Sequence, residues 1–169
     1  FPLLFKNKIL PVDVALVHLS PPDNRGYCTF GIETGLTRSA AESARLIIAE
    51  VNPQMPRMLG DTLIHVSDLD CIVPVDYPLA ELSMGNDNIP EEIVKIAGII
   101  GERIPDGATM QLGIGELPNA VLGFLHHKKD LGIHSELISD GVISLVEEGV
   151  ITGAAKKIHR GKITAGFVL

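Results

Sequence analysis

One glutamate lies inside an apolar, strand-like segment of the sequence, residues 132–141, just before an Asp–Gly turn. At the two-residue period of a β-strand, Glu136 shares a face with His134 and Ile138, and Ser135 lies on the opposite face. Ligands of α/β proteins bind at the carboxyl ends of strands, so Glu136 could act there as a nucleophile or a base. For that role we expect its side chain to be buried. The alternative is a solvated glutamate near a strand end.

A strand, a glycine turn and the start of a helix are predicted over residues 107–121. Glycines at such a turn let backbone N–H groups approach a ligand, and the N-terminus of the following helix favours anions. The turn contains one G-x-G, Gly113-Ile114-Gly115. However, Pro118 replaces the third glycine of a dinucleotide-binding motif, and Glu116 would place a negative charge beside a pyrophosphate. A plain tight turn is therefore the alternative to a nucleotide site.

Gln111 lies in the apolar strand directly ahead of this turn. Consecutive strands of a strand–helix–strand unit usually lie side by side, so Gln111 and Glu136 are predicted to converge at one edge of the sheet. A carboxylate beside an amide donor and glycine N–H groups suits acyl transfer, because the carboxylate attacks and the donors stabilise the oxyanion. The alternative is a glutamine that is bonded to neighbouring backbone.

The composition argues against a nucleic-acid partner and against a membrane span. The 169 residues carry a formal net charge of −7 and include no tryptophan, so neither a positive surface nor large stacking platforms are expected. No apolar run has the length of a membrane span and no signal peptide is recognised, so we expect a cytoplasmic protein. One basic cluster is interpreted as a solvated loop, with a site for a phosphorylated cofactor as the alternative. It comprises Lys156, Lys157, His159, Arg160 and Lys162.

Cysteine and histidine spacing predicts no metal site. Cys28 and Cys71 lie far apart in the sequence, which is typical of core cysteines in a reducing compartment. His126 and His127 are adjacent, so their side chains diverge at the predicted end of a helix, where they are favourable to the helix dipole.

Strands and helices alternate with short connections, which predicts an α/β fold of mostly parallel sheets with flanking helices. Residues 83–90 are polar, rich in turn formers and without periodicity, so we place a domain boundary there. The chain begins and ends in apolar sequence, and we interpret it as an internal piece of a longer polypeptide. Predicted strands span residues 12–19, 27–32, 46–51, 63–66, 71–75, 109–112, 133–138 and 163–169, and predicted helices span residues 37–45, 91–104, 117–128 and 142–148.

Several motifs, in their order along the chain, resemble the acetyl-CoA hydrolase/transferase family, which includes acetate and 4-hydroxybutyrate CoA-transferases. The resemblance covers essentially the whole chain. The motifs are Ser20-Pro21-Pro22-Asp23 with Gly26-Tyr27-Cys28, Ile48-Ala49-Glu50-Val51-Asn52 with Gln54-Met55-Pro56-Arg57, Asp76-Tyr77-Pro78-Leu79, Gln111-Leu112-Gly113-Ile114-Gly115 with Pro118, and His134-Ser135-Glu136-Leu137 with Ser139-Asp140-Gly141.

The resemblance implies a CoA-transferase (NagB/RpiA-like) fold with parts of two domains. Residues 1–84 would be the C-terminal part of the first domain, residues 85–90 the linker, and residues 91–169 the first part of the second. The resemblance also implies a homo-oligomer, and a second glycine-rich CoA loop further along the full-length protein.

The same resemblance implies that Glu136 is the catalytic glutamate and that Gln111 contributes to the oxyanion hole. Coenzyme A would enter as the acyl-CoA substrate, and no tightly bound cofactor is expected. The acyl-CoA is expected beside the turn that contains Gly113, Ile114, Gly115, Pro118 and Asn119.

The implied activity moves CoA between a short-chain acyl-CoA and a small carboxylate, such as acetate, through a glutamyl-CoA thioester on Glu136. An acyl-CoA hydrolase would use the same site with water as the acceptor. A nucleotide-binding regulatory module without turnover and a dinucleotide-dependent oxidoreductase are the alternatives from other classes of protein.

Overall fold

The computed structural model describes residues 1–81 and 89–168. The chain divides into two compact units, Phe1–Ala80 and Glu81–Leu169, and each has a hydrophobic core of its own. Residues 85–88 of the predicted linker 85–90 lie outside the described residues. The division into parts of two domains therefore stays a prediction.

The first unit contains a three-stranded parallel sheet and an antiparallel pair of strands. Its elements are α1 (Pro2–Lys6), β1 (Val12–Leu19), β2 (Tyr27–Thr29), α2 (Thr37–Ser43), β3 (Ala44–Val51), β4 (Leu63–His65), a 3-10 turn (Val66–Asp68) and β5 (Cys71–Pro74). Strand β3 lies between β1 and β5 and runs parallel to both. Strands β2 and β4 pair in antiparallel orientation.

Side-chain alternation along β1 places the core of the first unit on one face of this sheet. Ala15, Val17 and Leu19 are buried, whereas Val14 and Leu16 are exposed, as the two-residue period of a strand requires. The buried side chains join a cluster with residues of β2, β3 and β4.

The described part of the second unit contains three helices and two pairs of short parallel strands. Its elements are α3 (Glu91–Arg103), β6 (Thr109–Met110), α4 (Glu116–Leu122), β7 (Gly132–Ile133), β8 (Leu137–Ile138), α5 (Gly141–Glu147) and β9 (Phe167–Val168). Strand β6 pairs with β7, and β8 pairs with β9, both in parallel. Leu125, Leu131, Ile133 and Leu145 are fully buried at the centre of its core. The predicted α/β class with mostly parallel sheets and flanking helices is confirmed.

The helix predicted over residues 117–128 is shorter than expected and ends at Leu122. Gly123 follows, and glycine weakens a helix because it loses more backbone entropy than other residues. The next backbone hydrogen bond, from Phe124 N to Val121 O (3.0 Å), spans three residues, so the chain continues as tight 3-10 turns rather than as an α-helix.

The strand predicted over residues 133–138 is interrupted and forms β7 and β8. Between them the ladder is reduced to an isolated bridge that pairs His134 with Thr164. The strands predicted over residues 109–112 and 163–169 are likewise reduced to β6 and β9. The interruption matters because Glu136 lies within it.

Two smaller predictions are wrong. Cys28 is buried as expected, but Cys71 is exposed on β5. His126 and His127 lie in a turn beyond α4 rather than at a helix end, and Nδ1 of His126 lies 2.5 Å from a carboxylate oxygen of Glu148.

Two features are absent from the described residues, a membrane-spanning helix and a cluster of metal ligands. Across residues 1–81 and 89–168, no helix has both the length and the apolar character that crossing a membrane requires. In the same ranges, histidine, cysteine and carboxylate side chains do not gather in any group of three or more suited to a metal ion.

Asp23 organises the loop between β1 and β2. Its Oδ1 accepts hydrogen bonds from the backbone N–H groups of Arg25 and Tyr27, both 2.9 Å long, and its Oδ2 accepts one from Nη2 of Arg57 (2.8 Å). The bond from Tyr27, with those from Arg25 and the charge of Arg57, holds the pKa of Asp23 below its ordinary value.

We expect Asp23→Asn to lower the unfolding temperature at neutral pH, because the ion pair with Arg57 is lost. A carboxylate whose pKa is lower in the folded state stabilises the fold above its unfolded pKa, and this stabilisation is lost as the pH falls through the folded value. The difference between wild type and variant should therefore shrink on acidification, measured by thermal unfolding between about pH 7 and pH 2. Asp13→Asn is the control, because Asp13 is exposed and lies 3.5 Å from Arg45. A pH-independent difference for Asp23→Asn would contradict this account.

Candidate active site

The chain changes its pairing partner at Glu136. Before it, the N–H of His134 donates to Met110 O at the end of β6 (2.9 Å). After it, the N–H of Gly166 donates to the carbonyl oxygen of Glu136 itself (3.0 Å), and β8 pairs with β9. Glu136 therefore lies where one pair of parallel strands ends and the next begins.

The Ser135 side chain links the segment between β7 and β8 to the backbone that follows β6. Its Oγ accepts a hydrogen bond from Leu112 N (3.0 Å) and donates one to Leu112 O (3.1 Å). In a regular parallel ladder, a backbone carbonyl would accept from Leu112 N, so the hydroxyl substitutes for the missing ladder. These two bonds fix the backbone next to Glu136 against the backbone next to Gln111.

Ser135 was not predicted as a site residue. The signal was present, because a serine that shares the inward register of Ile133 and Leu137 must find hydrogen-bond partners once buried. Those partners belong to Leu112, which is distant in sequence, so the pattern could not identify them.

The Glu136 side chain is exposed, and the expectation of a buried carboxylate is wrong. Ser135 and Leu137 are buried on either side of it, and strand alternation turns the intervening residue outward. Within the described parts of the chain, we find no hydrogen bond to its carboxylate. A ligand can therefore reach this group from the open side.

Gln111 is also exposed, and its Nε2 donates to the backbone oxygen of Leu112 (2.8 Å). A primary amide carries two hydrogens, so one remains for another acceptor. No direct hydrogen bond joins Gln111 to Glu136 in the described residues. The structure brings their backbone segments together through Ser135, and it does not pair their side chains.

The predicted CoA-binding turn has the conformation that its glycines permit. Gly115 precedes α4 with φ 132°, a value that side chains with a Cβ rarely adopt. Between the glycines, Ile114 is 61% exposed. A Cβ at Gly113 would lie 3.6 Å from Pro118, which is ordinary contact, so the packing of the turn against α4 does not require a glycine at this position.

Asn119 links this turn to the chain that follows Glu136. Its Oδ1 accepts a hydrogen bond from the Ser139 hydroxyl (2.8 Å). The contact connects α4 to the residue just after β8 and leaves the Asn119 amide nitrogen for other acceptors.

An apolar cavity of about 330 Å³ opens beside Gln111. Three of the predicted site residues line it, Gln111, Gly113 and Pro118, whereas Glu136 does not. The other lining residues are Ile100, Ile104, Met110, Leu112, Leu117, Val121 and Leu122.

The basic cluster is only partly the solvated loop that we predicted. Lys157, His159, Arg160 and Lys162 are exposed, but Lys156 is buried. Burial lowers the pKa of the Lys156 ammonium, because the charged form loses its hydration.

Comparison with known proteins relates both units to enzymes of CoA metabolism. Residues 2–80 match the acetyl-CoA hydrolase/transferase N-terminal domain. The chain is 55% identical over 172 aligned residues to the 4-hydroxybutyrate coenzyme A transferase of Clostridium kluyveri. This alignment covers 99% of the chain and 39% of that protein. It is 43% identical over 169 residues to the succinyl-CoA:acetate/propanoyl-CoA:succinate CoA transferase of Fasciola hepatica, covering 99% of the chain and 35% of that protein.

Among solved structures, the 4-hydroxybutyrate CoA-transferase of Porphyromonas gingivalis matches with a TM-score of 0.93 at 43% identity, over 99% of this chain and 42% of that one. The chain thus spans less than half the length of the relatives that it matches. The CoA-transferase fold is confirmed for the portion that the chain covers.

We expect Ser135→Ala to destabilise the second unit by about 1–3 kcal/mol, because Leu112 N loses its acceptor inside the core. Ser144→Ala is the matched control, since Ser144 is exposed on α5 and its hydroxyl makes only a 3.5 Å contact with Gly141 O. The free energy of unfolding is measured by denaturant titration. Equal free energies of unfolding for the two variants would show that the Ser135 hydroxyl does not stabilise the bend, which is the break between β7 and β8 at residues 134–136.

Proposed function

Since the chain belongs to the acetyl-CoA hydrolase/transferase family, we propose that the full-length protein is a CoA-transferase. It would move CoA from a short-chain acyl-CoA to a small carboxylate of the acetate or 4-hydroxybutyrate type. The observation that carries this proposal is the pair of Ser135–Leu112 hydrogen bonds, which keeps Glu136 beside the Gln111 turn. Acyl-CoA and small carboxylates are then the partners, and self-association and a cytoplasmic location stay predictions.

Glu136 is the nucleophile of this proposal. One of its carboxylate oxygens attacks the thioester carbonyl carbon. The carbon–sulfur bond breaks, the CoA thiolate departs, and a mixed anhydride between Glu136 and the acyl group remains. The thiolate then attacks the glutamyl carbonyl, the anhydride carbon–oxygen bond breaks, and the first carboxylate departs. The incoming carboxylate reverses these steps on the glutamyl-CoA thioester and leaves as the new acyl-CoA. The kinetics are therefore ping-pong.

The exposed carboxylate of Glu136 is accessible to both substrates, although this exposure differs from the burial that we expected for the role. A thioester brings a good leaving group, so even a weakly nucleophilic carboxylate suffices when the tetrahedral oxyanion is stabilised. The second amide hydrogen of Gln111 is the donor that we assign to this oxyanion.

The turn of Gly113, Ile114 and Gly115, continued by Pro118 and Asn119, is the part of the chain that we assign to acyl-CoA. Backbone N–H groups at a glycine turn and a helix start suit an approaching polar group. The apolar cavity shared by Gln111, Gly113 and Pro118 suits an uncharged portion of the same molecule.

Hydrolysis is the second candidate, and the exposure of Glu136 favours it. Water as acceptor would use the same glutamyl thioester, so exclusion of water separates a transferase from a hydrolase. CoA release from acyl-CoA, measured with and without acetate, distinguishes the two: a transferase needs the carboxylate for turnover, and a hydrolase does not.

We expect Glu136→Gln in the full-length enzyme to abolish CoA transfer, because the amide cannot form the anhydride. Incubation of wild type with acyl-CoA followed by borohydride should reduce the glutamyl thioester, inactivate the enzyme and modify Glu136, as detected by peptide mass spectrometry. Glu147→Gln, an exposed residue of α5, is the control and should retain wild-type rates. Wild-type transfer by Glu136→Gln, or borohydride modification elsewhere, would overturn the assignment.

We expect Gln111→Ala to lower kcat and kcat/KM together by about 10²–10³-fold, since one oxyanion donor is worth about 3–4 kcal/mol. An interaction made only in the transition state leaves KM nearly unchanged. Gln111→Glu should be at least as impaired, because it replaces the donor with a negative oxygen. A rise in KM at constant kcat would instead assign Gln111 to substrate binding.

A further inference from the structure

Lys156 is a buried lysine that the proposed chemistry does not use. The residue is 4% exposed and lies in the segment of chain that connects α5 to β9. Its Nζ donates to Ile133 O (2.7 Å), to Lys162 O (2.7 Å) and to Thr164 Oγ1 (3.1 Å). An ammonium has three donors, so each of them has an acceptor.

All three acceptors are neutral. Within the described residues, the lysine salt bridges are those of Lys6 and Lys95, so no carboxylate compensates the Lys156 charge. A buried charge without a counter-ion is costly. Stability alone therefore does not account for this lysine, whose ammonium holds two backbone carbonyls.

The groups that Lys156 joins lead directly to Glu136. Ile133 ends β7, and its oxygen also accepts a hydrogen bond from Thr164 N (3.2 Å). Thr164 O in turn accepts one from Ser135 N (2.9 Å). The ammonium thus ties the strand before the bend to the segment that pairs with the bend.

Gly132 provides the space for the lysine stem. A Cβ at this position would lie 2.5 Å from Lys156 Cγ, far inside van der Waals contact. The backbone of Gly132 does not have a positive φ, so its conformation does not require glycine. Glycine is required there because the aliphatic chain of Lys156 approaches so closely.

We propose that Lys156 is a positioning residue that sets the place of Glu136 by clamping Ile133 to Thr164. This inference rests on the proposed function. Glu136 then depends on two anchors, the Ser135 hydroxyl towards β6 and the Lys156 ammonium towards β9. Loss of the second anchor moves the carboxylate relative to the thioester while substrate binding persists.

The test compares full-length Lys156→Met, which keeps the length of the side chain without its donors, with Lys157→Met at the exposed neighbour. We expect Lys156→Met to lower kcat on the order of 10²-fold, as displaced catalytic groups do, with little change in the KM for acyl-CoA. Borohydride-trappable thioester should form correspondingly slowly. Lys157→Met should behave as wild type. Thermal unfolding establishes that each variant is folded.

A second pair of variants retains Lys156 and changes only one of its acceptors, so a folding defect caused by loss of the lysine cannot explain the result. Thr164→Val removes only the Oγ1 acceptor and should lower kcat, whereas Thr164→Ser restores the hydroxyl and should return kcat towards wild type. Wild-type kcat in folded Lys156→Met or Thr164→Val would overturn the inference. So would a loss that merely follows the unfolded fraction.

Amide hydrogen exchange separates this inference from the proposed function. Lys156→Met should accelerate exchange at Ser135 and Gly166, whose N–H groups bond to Thr164 and Glu136, relative to Lys157→Met. If wild type shows no transfer, the proposed function fails, and unchanged exchange in Lys156→Met would refute the clamp independently.

Discussion

The two hydrogen bonds between the Ser135 hydroxyl and the backbone of Leu112 are the contact on which the second unit's candidate site depends. They take the place of the next backbone bonds of the parallel ladder. Residues 135–138 can therefore separate from β6 while Leu112 N still has a hydrogen-bond acceptor. A continuous ladder would keep residues 133–138 in one straight strand. Strand alternation turns Glu136 outward while its neighbours Ser135 and Leu137 stay in the core.

The bend is held from two sides by polar groups that are themselves buried. On the β6 side the group is a neutral hydroxyl, and on the β9 side it is the ammonium of Lys156. Ser135 bonds to the main chain of Leu112. Lys156 donates to the main-chain oxygens of Ile133 and Lys162 and to the hydroxyl of Thr164. In the proposed reaction, the exposed Glu136 would gain its fixed position from these buried neighbours.

Exposure of Glu136 also bears on the balance between transfer and hydrolysis. In the proposed reaction, the residue types at the site would serve either activity, because carboxylate and water would attack the same thioester. The acceptor would then be decided by what covers Glu136 in the full-length protein. The chain accounts for less than half of its relatives' length, and the acceptor preference belongs to the full-length protein.

The sequence by itself determined the α/β class, the order of most elements and the approach of the Gln111 and Glu136 segments, because these follow from local periodicity and from strand–helix–strand connection rules. Only the tertiary structure decided that the strand at Glu136 is broken, that Ser135 and Lys156 are buried polar anchors, and that Glu136 is exposed. The reason is physical. Ser135 and Leu112, like Lys156 and Ile133, are 23 residues apart, and a periodic pattern contains no information about which distant oxygen or hydrogen will satisfy a buried polar group.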